Sequence, residues 1–163
     1  MRRRLSGLTL IELLVGLVVM TVLTSLAVPG FQGLREQSQI RSAGMAVYAD
    51  LQLARSEAIK RNREVTVCFT NSGGANWSYA LHDSDDCSGS EIEKAYSEDY
   101  PSVDITASYS SGQLKFSPRR NNLADGNVEI KPSIYGPKMF VKTTKTGRIR
   151  TCSDGALAGV PSC

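Results

Sequence analysis

The sequence predicts an α+β fold in which one long N-terminal helix packs on antiparallel sheets. Three observations predict it. Leu8–Val28 holds 21 residues and one charge, Glu12. Apolar residues then recur at steps of three and four as far as Ala58. From Val65 the period switches to two, and clusters of Gly, Pro, Asn and Ser punctuate the remainder of the chain.

The first element is decided by length. At about 1.5 Å per residue the 21-residue run makes a helix of roughly 31 Å, enough to cross a bilayer's hydrocarbon core. Arg2, Arg3 and Arg4 stand just before it and place the N-terminus on the cytoplasmic side. Pro29-Gly30 predicts a kink or a loosened turn. An ordinary secretory signal has a shorter apolar core and a small-x-small end. A plain anchor explains the length but gives Glu12 no purpose. A carboxylate in lipid is costly, so its presence points to a partner.

Beyond Gly30 the residues Ile40, Ala43, Gly44, Val47, Leu51, Ala54 and Ala58 share one face, and Arg35, Arg41, Arg55, Lys60 and Arg61 lie off it. Residues 31–62 therefore read as an amphipathic half of the same helix. Val65–Phe69 and Trp77–Leu81 predict a hairpin across Asn71-Ser72-Gly73-Gly74. Weaker strands come next at Ile92–Tyr96 and Val103–Ala107, then Gln113–Ser117 and a short Val128–Ile130. Met139–Thr143 and Arg148–Cys152 bracket Thr144-Lys145-Thr146-Gly147, a hairpin turn. Asp83–Gly89, Arg119–Gly126 and the tail Ser153–Cys163 are expected to be loops.

Ser6-Gly7-Leu8-Thr9-Leu10-Ile11-Glu12 resembles the type III signal of type IV pilins and type II secretion pseudopilins, with Leu8 where Phe is usual. The resemblance implies cleavage after Gly7 by a prepilin peptidase and N-methylation of Leu8. It also implies that Glu12 pairs with the amino terminus of a neighbouring subunit. Pro29 falls where pilins commonly carry a helix-bending proline. Ala54-Arg55-Ser56-Glu57-Ala58, Phe116-Ser117-Pro118 and Gly147-Arg148-Ile149-Arg150 are similar to the GspH/FimT group of minor pilins and pseudopilins. Arg119-Arg120 depart from that pattern, since a Gly frequently comes soon after Phe-x-Pro. The organisation implied is a leader over 1–7, a transmembrane and filament-core half-helix over 8–30, and a type IV pilin-like globular domain over 31–163. Such a subunit is a single-pass inner-membrane protein before assembly and part of an extracellular pilus afterwards. Its globular domain is periplasmic or extracellular.

The net charge is +3, but its distribution says more. Asp83–Asp104 holds eight acids against Lys94, and Ser110–Arg150 holds nine bases against Asp125 and Glu129; the segments are net −7 and +7. Such polarity suggests a partner of defined charge. With Arg148 and Arg150 two apart on a strand, both guanidiniums face one way. Lys145 adjoins them in the turn, and Lys142 and Lys138 lie on the preceding strand. A fork of this kind suits phosphate oxygens, giving backbone-directed, salt-dependent binding. The Gly-Arg-x-Arg resemblance to FimT-type minor pilins of naturally competent bacteria implies DNA contact at Arg148 and Arg150, for uptake in natural transformation. Arg119 and Arg120 widen the surface on charge grounds alone. The competing reading is a solvated basic edge that protects a strand from unwanted pairing, in a structural pilin or GspH-like pseudopilin acting in tip assembly. The partners expected are double-stranded DNA, other pilins, the prepilin peptidase and the inner membrane.

Cys68, Cys87, Cys152 and Cys163 allow three connectivities in an oxidising compartment. The sequence does not choose among them rigorously. Cys68–Cys87 with Cys152–Cys163 is preferred because each closes a short loop. No CxxC spacing occurs, His82 is the one histidine, and Asp83, Asp85 and Asp86 lack the spacing of an EF-hand loop. Trp77 and the tyrosines are expected in the core or at its rim. Neither a metal, a cofactor nor an enzymatic activity is expected, because no nucleophile–base grouping is present.

Overall fold

The computed structural model describes residues 9–119, 123–133 and 136–163, without the side chains of 27–30 and 32. Gly7, Leu8 and Arg120 lie outside the described residues. Helix α1 spans Leu10–Arg61. Thr9 caps it: its hydroxyl accepts the Glu12 N–H at 3.3 Å and its carbonyl the Leu13 N–H at 3.2 Å. Glu12 thus also serves the helix locally, as a first-turn acid against the positive end of the dipole. The helix continues through Pro29 and Gly30, so the expected loosening there does not end it. Asn62, at φ 52°, ends it instead. The Arg63 N–H returns to the Ala58 carbonyl and the Asn62 N–H to that of Ile59, each at 3.3 Å, closing the final turn.

The chain divides into two compact units, Met1–Arg35 and Glu36–Cys163. In the first, every residue from Leu10 to Leu26 is exposed, and most of them are apolar. Among the described residues no helix is long and apolar enough to cross a membrane. The Leu8–Val28 run has its two ends outside the described side chains.

In the second unit the predicted helical stripe is buried, with Ile40, Ala43, Val47, Leu51, Ala54 and Ala58 all in the core. It meets two antiparallel four-stranded sheets. The first has the order β3 (Glu91–Tyr96), β2 (Ser78–His82), β1 (Val65–Thr70), β5 (Gln113–Phe116). The second runs β4 (Val103–Ala107), β6 (Gly126–Pro132), β7 (Lys138–Thr143), β8 (Ile149–Asp154). Val65, Val67, Leu81 and Leu114 of one sheet join Val128, Ile130, Met139 and Val141 of the other in a single core. Gly44 lets the helix approach closely, since a Cβ there would strike the Met139 thioether. Trp77 ties the sheets together: its indole N–H donates to the Val103 carbonyl at 2.7 Å, and its ring stacks on Tyr79 and Tyr100. Trp77 precedes β2 and does not begin it, a one-residue correction to the predicted strand.

Two disulfides are formed, Cys68–Cys87 and Cys152–Cys163. The second folds the tail back so that Ser153 pairs in parallel with Ser162, and Leu157 is buried beneath it.

Candidate functional site

The β7–β8 hairpin is built by alternation. Met139, Val141, Thr143 and Ile149 are buried, and between them Lys142 sits directly across from Arg150. The connection is tight. Gly147, at φ 80°, turns the chain in a conformation that side chains disfavour, and its N–H donates to the Thr144 carbonyl at 2.8 Å. The Thr144 N–H closes the turn on the Arg148 carbonyl at 3.1 Å. This geometry corrects one expectation: Arg148 lies in the connection and β8 begins at Ile149, because the left-handed glycine delays the ladder by one residue. Arg148 and Arg150 are nonetheless both exposed on either side of buried Ile149.

Lys145 is exposed at the tip, and its backbone N–H is held by the Asp125 carboxylate at 2.7 Å. The Lys142 ammonium lies 5.6 Å from the centre of the Phe140 ring. Among the described residues, no ion pair engages the side chain of Lys142, Lys145, Arg148 or Arg150. Lys138 differs. Its ammonium pairs with Glu129 at 2.9 Å, and that hydrogen bond raises its pKa above the usual lysine range. It also stands across from Asp154. Lys138 is thus already paired with an acid. Arg119 is exposed in the segment after β5 of the other sheet.

Periodicity alone gave no sign of one contributor. Arg55, off the apolar stripe of α1, donates from Nη1 to the Gly147 carbonyl at 2.8 Å. The Ala-Arg-x-Glu-Ala pattern marked the position but not its reach across 92 residues. Glu57 of the same pattern accepts from Arg61 Nε at 2.6 Å and from Lys60 at 3.3 Å, and the Arg61 bond lowers its pKa. Arg61 continues to Asp83 at 2.8 Å, with Arg63 at 3.6 Å. The acidic loop is thus occupied by cations and hydroxyls: Asp86 accepts from the Ser88 hydroxyl at 2.7 Å, which depresses its pKa. Among the described residues no group of His, Cys, Asp or Glu is arranged to hold a metal ion. His82 is buried with Nδ1 2.9 Å from the Gly89 carbonyl oxygen.

A helix with an apolar, solvent-facing start, capped at Thr9 and continued by two antiparallel sheets, defines a pilin-like subunit. Residues 43–155 match the family described as type II transport protein GspH, and residues 2–28 match the prokaryotic N-terminal methylation motif. The chain belongs to this GspH/FimT-like family of minor pilins. Among solved structures it is similar to the type IV minor pilin FimU of Pseudomonas aeruginosa strain PAO1 in two crystal forms. In the P65 form the identity is 21%, the TM-score 0.53, and the match covers 68% of this chain and 90% of FimU. In the P21 form the values are 20%, 0.57, 72% and 90%. At that identity the likeness shows the shared fold. No curated protein matches the chain.

Proposed function

We propose that this subunit binds extracellular DNA through the phosphate backbone, by the β7–β8 hairpin, for uptake in natural transformation. The observation that carries the reading is the set of Lys142, Lys145, Arg148 and Arg150, gathered on one hairpin with no acid paired to any of their side chains among the described residues. Cations left unpaired beside exposed backbone attract a polyanion and exchange its counterions, which gives affinity without base preference. The prepilin-type start supports the rest of the life cycle: insertion by the Leu8–Val28 run, cleavage after Gly7, methylation of Leu8, and assembly with other pilins through Glu12.

The test is retardation of double-stranded DNA by the full chain in detergent. The double substitution Arg148→Gln, Arg150→Gln is expected to abolish retardation and transformation while pilus assembly continues. Equal retardation by wild type and double variant contradicts the proposal. A second reading, a purely structural subunit of a pilus or secretion pseudopilus, is favoured by the wholly exposed apolar stretch Leu10–Leu26, which needs partner helices whatever the hairpin does. It predicts that the Arg substitutions are silent and that loss of the chain stops filament formation.

A further inference from the structure

We propose that Arg55 of α1 is a positioning residue for the basic hairpin, fixing the peptide from which Arg148 leaves the chain. The role rests on the DNA-binding reading above. The Gly147 carbonyl that Arg55 holds at 2.8 Å and the Arg148 N–H belong to one planar unit. Holding the oxygen therefore sets the plane from which the Arg148 side chain departs, and Arg150 lies two residues along. The bond is charge-assisted and half-buried, so water competes for it poorly. Gly147 is itself buried and left-handed.

A second clamp acts on the other end of the same turn. Asp125, just ahead of β6, accepts the Lys145 N–H at 2.7 Å and so fixes the peptide joining Thr144 to Lys145. Both clamps come from outside the hairpin, a cation from the helix and an anion from the β5–β6 connection. A merely solvated turn would need neither. Pre-set geometry spares the binding site part of the ordering cost of association. Arg55, with its guanidinium directed at Gly147, acts on DNA through Arg148 and makes no phosphate contact of its own.

The experiment compares wild type, Arg55→Met and Arg148→Gln, each as the full chain in detergent, binding a duplex DNA across a salt series. For Arg55→Met the affinity is expected to fall roughly tenfold, the scale of one lost hydrogen bond to a charged group, with the slope of log K against log salt unchanged. For Arg148→Gln the slope itself should become shallower by about 0.9. Amide exchange at Gly147 and Arg148 should quicken in Arg55→Met while the global melting transition persists. Should Arg55→Met fail to fold, Arg55→Gln, which removes the guanidinium and shortens the side chain, is read the same way. Unchanged affinity overturns the proposal, and so does a slope that falls as far as in Arg148→Gln, since that marks a direct phosphate contact. A wild-type chain that ignores DNA removes the function and this role together; exchange alone then reports whether the clamp exists.

Discussion

At the scale of single residues, the side chains that matter are those whose partners are charged. Glu57 lies against the end of α1 with two cations on it, and its hydrogen bond from Arg61 holds its pKa below the ordinary value of 4.5. A carboxyl depressed in the folded state stabilises the fold above its unfolded pKa, and that contribution is lost as pH falls through the folded value. Asp86, lowered by Ser88, acts in the same direction. Asp50 is opposed to both: burial raises its pKa despite the Tyr79 hydroxyl at 2.6 Å, so its ionised form costs stability near neutrality. Urea midpoints measured from about pH 7 to about pH 3 should fall less steeply for Glu57→Gln than for wild type. Parallel curves would remove Glu57 from the acid response. At the other end of the helix, the Glu12 N–H donates to the Thr9 hydroxyl that caps α1, while the Glu12 side chain stays exposed.

At the scale of elements, the hairpin shows which cations are available and which are already committed. Lys138 and Lys142 share a strand and an outward direction, yet among the described residues Glu129 pairs with the first and no acid with the second. Lys142→Gln should make the salt slope of DNA binding shallower by about 0.9, and Lys138→Gln should leave it unchanged. Equal slopes for the two variants would mean that pairing with Glu129 does not withdraw Lys138 from the surface. The contrast also marks where the sequence was readable. Alternation exposed β7, and the turn chemistry of Thr144–Gly147 exposed the hairpin, because both are local. The apolar stripe from Ile40 to Ala58 was legible for the same reason, a period carried in the chain itself. Three features were not local. Glu129 meets Lys138 only after β6 and β7 pair, Asp125 meets Lys145 across 20 residues, and Arg55 meets Gly147 across 92. The one-residue delay of β8 has a smaller cause: a left-handed glycine uses up a position that simple alternation counts as strand.

At the scale of the whole molecule, the chain separates its tasks by composition. The proposed function uses the apolar run at the start of the chain for membrane and filament, and the cationic hairpin far along it for a polyanion. Several acids of Asp83–Asp104 have partners of their own: Asp83 Oδ2 meets Arg61 and Arg63, Asp86 accepts from Ser88, and Glu91 pairs with Lys94. Display of several subunits along one fibre would raise the effective local concentration of hairpins, so modest single-site affinity can suffice. The most direct measurement is the salt dependence of duplex binding by the wild-type full chain in detergent. Four cations without an ion pair among the described residues predict a slope of log K against log salt of about −3.6, with binding strongest at low salt and indifferent to base sequence. A slope near zero, or no binding at the lowest salt, would contradict the account.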